Sequence, residues 1–331
     1  MLTRPNYDEW IRGGVFALAM GLPLLLGHQL KMEQFAFVAL GAMFALRLDP
    51  RRRPQRQALA IVGGMSLMIL AGMLGVLLVG HKELAMAALV IIGFLAGQPT
   101  AEQAYLSLLG KFTAAALLLA EMGLPATLTT AMAYLAGAFL ALGLTLLQQW
   151  LLPSDATEWS PSDEWHHILA GDTNGPLFGF TLPITILLAM LSAQWLHAEH
   201  AAWVGLTVLF VMHVNDASTW IKVRQRILGT LLGVGITYLI IIGLPSNALV
   251  ALVMLLAIIM PTCLRQSYAA FSCVITIIVL VIVDLAMLNQ GGDEYLIRWR
   301  LFDTLIGCAW VALSLILLRL GKAWWPKKIK P

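Results

Sequence analysis

Arg226, Gly229, Thr230, Gly233 and Thr237 stand at i, i+3, i+4, i+7 and i+11. At 3.6 residues per turn these positions form one stripe along a helix. A cation at the end of a stripe of small and hydroxyl-bearing residues offers two chemistries. In one, Gly229 and Gly233 are a small-xxx-small pair that lets another backbone approach, and Arg226 snorkels to headgroups. In the other, the stripe edges a polar conduit and Arg226 draws an anion to its mouth. The pattern recurs at 48–64 (LDPRRRPQRQALAIVGG), where Arg56 precedes Gly63 by seven as Arg226 precedes Gly233. Gly63 is therefore expected to pack as Gly229 and Gly233 do, and Arg56 to join Arg226 in a basic ring.

Other ionisable residues interrupt apolar runs: Lys111, Asp284, Arg300 and Asp303. A charge at membrane depth costs about 2.5–3.5 kcal/mol on insertion scales, so such groups face a bundle interior or water. Arg300 and Asp303 stand at i, i+3 and can pair. Asp284 has no cation close in sequence, which leaves it open to carry a proton. Glu102 and Arg265 lie at equivalent places beside two Pro-Thr pairs, Pro99-Thr100 and Pro261-Thr262. The reading there is a broken span in each half, with the opposite charges either gating the pseudo-axis or solvated in loops.

Several patterns carry no chemistry. His197, Glu199 and His200 (HAEH) form a short turn with no further ligand near in sequence, so no metal site is expected. GKFT at 110–113 is not a nucleotide loop: Tyr105 stands where the first glycine belongs, and Phe112 follows Lys111. No cofactor is expected, and uphill transport would draw on an ion gradient or a partner ATPase. Cys263, Cys273 and Cys308 lie in or beside apolar runs without a CxxC pair and read as buried residues.

The elements that position these residues are helices in a membrane. The chain of 331 residues is 60% hydrophobic and only 12% charged, with mean hydropathy +0.82; soluble domains carry about 25% charged residues. Its apolar blocks approach the roughly 20 residues that cross a bilayer. Twelve spans follow: 11–29, 33–48, 57–79, 84–98, 104–121, 127–151, 176–196, 200–214, 221–243, 246–262, 267–288 and 298–320. The short ones, 33–48, 84–98, 200–214 and 246–262, read as tilted partners inside the bundle or half-spans. The fold class is all-α and polytopic. Both termini are expected in the cytoplasm, because only Lys31, Lys82, Arg298 and Arg300 then fall outside, against the remaining 17 of 21 Lys and Arg. The sequence pI near 8.8 is thus a topology signal, with no nucleic-acid partner implied. The first span lacks a small-residue cleavage site and is read as retained.

Two halves repeat. QFAFVALGAMFALRLDP (34–50) lies over AAWVGLTVLFVMHVNDA (201–217), and QPTAEQAY (98–105) echoes MPTCLRQSY (260–268). The expected division is a six-span repeat at 1–151, a cytoplasmic linker at 152–175 and a second six-span repeat at 176–331. Six spans is an even number, so the halves run parallel about a pseudo-two-fold axis along the membrane normal.

WVGLTVLFV, a polar turn, basic residues and RILGTLLGVGI together resemble the signature of the fusaric acid resistance and aromatic acid exporter family. Plant aluminium-activated malate transporters are distantly similar. The resemblance rests on Trp203, Arg226, Gly229, Thr230 and Gly233, with Arg300, Asp303, Thr304 and Gly307 resembling the last-helix pattern (RLFDTLIG). It is to a compact twelve-span form without the family's large cytoplasmic domain. It implies an inner-membrane secondary exporter of small organic acids, proton-coupled, working with a periplasmic membrane-fusion adaptor and an outer-membrane channel. A homo-oligomer is compatible with it. On this expectation the anion enters by Arg56, Arg226 and Lys111, passes Thr230, Glu102 and Arg265 between the halves, and leaves near the coupling residues Asp284 and Asp303. A passive anion channel and a non-transporting partner in an efflux assembly are the alternatives.

Overall fold

The computed structural model describes residues 7–50, 54–100, 104–120, 127–151, 161–198, 201–286 and 294–324. Glu102 lies outside them, and so does the side chain of Asp284. Thirteen helices and no strand form among the described residues. The first half holds α1 (Tyr7–Leu30), α2 (Gln34–Arg47), α3 (Pro54–Leu77), α4 (Lys82–Ala96), α5 (Tyr105–Ala120) and α6 (Leu128–Leu151). A short α7 (Pro161–Leu169) follows. The second half holds α8 (Gly175–Trp195), α9 (Ala201–Val211), α10 (Asp216–Gly243), α11 (Ser246–Gln266), α12 (Tyr268–Ala286) and α13 (Glu294–Trp324).

Each of the twelve apolar segments forms one helix, because a chain that cannot reach water must satisfy its backbone within the helix. The breaks have local causes. Gly80, at φ +92°, adopts the left-handed conformation that ends α3's overrun. Asn215 caps α10, its side chain accepting from the backbone N–H of Ala217 at 2.9 Å and Ser218 at 3.3 Å. Six helices are long and apolar enough to cross a membrane: those at 7–30, 54–77, 128–151, 175–195, 248–266 and 299–320. Large apolar side chains such as Leu70, Leu231, Leu239 and Leu317 point outward from the bundle. An apolar exterior around an apolar interior is what a bilayer, not water, solvates. The protein is a multi-pass membrane protein.

The short helices occupy the middle. α9 has 11 residues, about 17 Å at 1.5 Å per residue, too short to cross the roughly 30 Å hydrocarbon core. Eight of its positions, from Ala202 to Val211, are buried. One expected short span is not short. α11 continues through Pro261 to Gln266, so the second half has no break at Pro-Thr; the chain turns at Ser267 instead. Pro261 withdraws one backbone donor, a loss membrane helices tolerate when neighbours surround the site. In the first half the break does occur, at Gly97–Pro99, and the chain after α7 holds it: Asn174 Nδ2 donates to Gly97 O at 3.0 Å and Pro99 O at 2.8 Å.

The two halves pack alike. α2 lies on α6 as α9 lies on α13, α3 on α5 as α10 on α12, and α1 on α2 as α8 on α9. The contacts between halves repeat as well: α1 meets α11 as α8 meets α4, and α2 meets α12 as α9 meets α5. The result is an exchange. One buried cluster joins α1, α2, α3 and α6 to α11 and α12. The other joins α8, α9 and α13 to α4 and α5. Each half thus sets one helix, α4 or α11, against the first helix of its sister.

Candidate functional site

Packing decides the geometry of the Arg226 stripe. A Cβ on Gly229 would lie 2.4 Å from Ala269 O and 2.7 Å from Ser272 Cβ, and one on Gly233 would lie 2.9 Å from Cys273 O. The backbones of α10 and α12 therefore touch along the glycines, as a small-residue seam allows. Close approach carries Arg226 into the bundle. Its side chain is 7% exposed, and Nη1 donates to Ser272 Oγ at 3.3 Å. It does not snorkel. Nε of Arg226 and Oγ1 of Thr230, one turn on, are buried without a hydrogen-bond partner.

α13 faces the same sector. Gly307 abuts α9, where a Cβ would meet Thr207 Cβ at 2.8 Å and Val204 O at 2.9 Å. The contact fixes Arg300 and Asp303 two turns and one turn away. The Arg300 guanidinium stacks 3.7 Å from the centre of the Trp203 ring, a cation–π geometry that holds a desolvated guanidinium in place. Arg300 is 7% exposed and Asp303 1%. Asp303 follows Arg300 by three residues, on the same side of α13. Even so, Nη1 of Arg300 and Oδ1 of Asp303 have no hydrogen-bond partner among the described residues. At the basic end of the same helix pair, Arg319 closes on Asp216 at 2.9 Å. Among the described residues, Arg226, Thr230, Arg300 and Asp303 thus each keep one buried polar atom without a hydrogen-bond partner.

Arg226, Thr230, Arg300 and Asp303 lie inside one stretch. A family model described as fusaric acid resistance protein-like matches residues 188–314. That stretch is similar to the fusaric acid resistance protein-like family. Over 121 residues, 36% of this chain, the protein is 34% identical to the inner membrane protein YccS of Escherichia coli. It is 31% identical over 144 residues to an uncharacterized protein of Haemophilus influenzae, and 29% identical over 133 residues to the uncharacterized protein YhfK of Escherichia coli. The matched stretches span 16%, 20% and 18% of those relatives' own lengths. No solved structure matches. The family segment begins in α8 and ends in α13, so it takes in every member of the buried cluster.

Other expected site residues fall elsewhere. Arg56 is exposed at the start of α3, away from any buried ring. Gly63 has nothing within 4 Å of a built Cβ and is not a packing glycine. The buried stripe of α3 is Gln57, Ala60, Ile61 and Gly64, the spacing of Arg226, Gly229, Thr230 and Gly233 moved by one residue. One residue on a helix is a rotation of about 100°, enough to turn a match of letters away from the core. Arg265 is held in an ion pair with Glu9, whose Oε2 also accepts from Arg265 Nη2 at 3.1 Å. It clasps α11 to α1. Lys111 is buried on α5, outside the cluster's helices.

Phe112 of α5 stacks between Phe44 of α2 and Phe210 of α9, at 5.3 and 6.0 Å between ring centres. The charged groups instead lie within one half, among α9, α10, α12 and α13. Trp203 and Ser272 complete the site, and nothing local in the sequence marks Ser272, since its role comes from the α10–α12 seam.

Proposed function

We propose that the protein moves a small organic anion across an inner membrane, with the Arg226–Arg300 cluster as its binding station. One observation carries the reading: two buried guanidiniums, Arg226 and Arg300, each keep an N–H without a hydrogen-bond partner among the described residues. Leaving a buried cation uncompensated costs several kcal/mol, so a mobile anion is the counter-ion such a site is suited to take. The bias of Lys and Arg supports a cytoplasmic location for both termini. The end with Lys222, Arg224 and Arg319 is then the loading side. Asp303, beside Arg300 and buried, is the group placed to exchange a proton for the anion. The resemblance to compact exporters supports work with a periplasmic membrane-fusion adaptor and an outer-membrane channel.

Flux of labelled benzoate from proteoliposomes tests this. Arg226→Ala is expected to cut the flux at least about tenfold, while the exposed Arg56→Ala leaves it unchanged. A folded Arg226→Ala protein with full flux would remove the cluster from the path. Flux that ignores an imposed pH gradient and appears as large unitary currents would make the same site an anion channel.

A further inference from the structure

The segment that joins the halves holds on to one of them. α7 buries its acid: Glu164 is 5% exposed, and its carboxylate accepts from Tyr105 N at 2.9 Å and Leu106 N at 2.7 Å at the start of α5. The chain then turns back through Gly171, in the left-handed conformation at φ +89°. Asn174 lands on the end of α4, its N–H donating to Gln98 O at 2.9 Å and its Nδ2 to Gly97 O and Pro99 O. The break between α4 and α5 is thus answered on both sides by α7 and the turn after it.

That hold fixes how α7 is rotated. At about 100° per residue, Glu164 and Ile168 share the inward face. Trp165 and Leu169 then lie together on one flank, and Asp163 and His167 on the other. The first flank is apolar and open, Trp165 being 54% exposed and Leu169 67%. The other is polar, with His167 Nδ1 at 3.5 Å from Asp172 Oδ2.

What covers the apolar flank follows from where α7 lies. α6 before it and α8 after it are both long and apolar enough to cross a membrane. α7 has 9 residues, about 14 Å, too short to cross, and it is bonded to the ends of two other helices of the bundle. It therefore lies at the bilayer surface. The ends of the spans that it joins also turn apolar side chains outward: Trp150 and Leu151 on α6, Leu177 and Phe180 on α8. Tryptophan favours this depth, its ring among the headgroups. An apolar flank opposite a polar one is how a helix lies in the interface plane.

We infer that α7 is a membrane-surface anchor: Trp165 and Leu169 sit in the headgroup–acyl boundary, and Glu164 and Asn174 tie that anchor to the ends of α5 and α4. The bilayer then helps to hold the break of the first half. The second half needs no such anchor, since α11 runs on through Pro261 and α12 is capped by its own Ser267.

Two measurements on the full chain in phosphatidylcholine–phosphatidylglycerol nanodiscs test this. In a chain with Cys263, Cys273 and Cys308 changed to alanine, a nitroxide is attached through Asp163→Cys, Trp165→Cys, His167→Cys or Leu169→Cys. Oxygen, which concentrates in lipid, should relax the labels at 165 and 169 more than a nickel chelate does, and the order should reverse at 163 and 167. Equal access of the chelate to all four would overturn the inference, because the flank would face water. Shielding of 165 and 169 from both reagents would overturn it too, by seating a second copy or another protein there.

The second measurement reads the tie to α5. Trp165→Ser with Leu169→Ser should speed hydrogen exchange at Tyr105 and Leu106 at least about tenfold, with no change at the start of α12. Side chains in water would leave exchange as it is, since surface changes of that kind are close to neutral. Unchanged exchange at both amides would therefore overturn the anchor's hold. If one of the variant chains does not fold, judged by its elution profile, the other measurement decides.

Discussion

At matching places the two halves of this protein hold opposite environments. Gly137 of α6 lies against α2 as Gly307 of α13 lies against α9. Seven and four residues before each glycine stand Thr130 and Ala133 in one half, Arg300 and Asp303 in the other. Along α3 the buried stripe is Gln57, Ala60, Ile61 and Gly64; along α10 it is Arg226, Gly229, Thr230 and Gly233. Where the second half gathers charge, the first has an open apolar pocket of about 90 Å³ bordered by Met65, Met68, Phe112, Thr130 and Tyr134. Thr130 there is answered locally, its Oγ1 meeting Thr127 Oγ1 at 3.0 Å. One framework thus supports, at these matching positions, neutral side chains in one half and a charged cluster in the other. Backbone packing fixes where the site is; side-chain identity alone decides whether it has chemistry.

The comparison breaks most sharply at the glycines. Gly229→Val should abolish folded protein, since even a Cβ meets the α12 backbone at 2.4 Å. Gly63→Ala, with open space around it, should be neutral or stabilise by up to about 1 kcal/mol. Thermal melts of the detergent-solubilised variants measure both, and equal effects would refute the one-residue shift between the stripes.

A second contrast sets Arg300 against its counterpart Thr130. Arg300→Ala strands Asp303 in the interior and should cost about 3–5 kcal/mol, whereas Thr130→Ala should cost about 1 kcal/mol. Arg300→Ala with Asp303→Ala should recover most of the loss in a denaturation curve. A double variant as unstable as the single one would mean that Arg300 acts through packing on Trp203 and not through charge.

The smallest effect concerns how paired helices begin. α12 is capped locally, Ser267 Oγ accepting from Ala270 N at 3.3 Å. α5 is capped from a distance, Glu164 of α7 accepting from Tyr105 N at 2.9 Å and Leu106 N at 2.7 Å. Burial raises the Glu164 carboxyl above its ordinary 4.5, outweighing the two N–H donors that favour the charged form. An acid whose folded pKa is raised contributes stability present below its ordinary value and lost as pH climbs through the raised one. Hydrogen exchange at Tyr105 and Leu106 should therefore be slower, after correction for intrinsic rates, near pH 4.5 than at neutrality. The amides at the start of α12 should show no such dependence.

Much of this was legible in the chain itself. Twelve apolar runs gave twelve helices because backbone in a bilayer has no other partner than itself, and the small-residue spacing at Gly229 and Gly233 named a seam before any neighbour was known. Arg300 and Asp303 were legible as a close pair of charges in an apolar run. The misreadings share a cause: at Arg56 and Gly63 letter spacing was matched without knowing which face is buried, and at Pro261 a proline was taken for a break that surrounding helices absorb.

What the sequence determined alone is therefore local and periodic: the helical segments, their polarity, the repeat and the residues able to bear charge in lipid. Only the tertiary structure decided that α4 and α11 pack against the sister half, that Phe112 stacks between Phe44 and Phe210, and that Arg226 turns inward to Ser272. The reason is physical. Helix formation in a membrane depends on neighbours four residues away, whereas the burial of a guanidinium depends on a glycine seam formed with a helix some 40 residues further along.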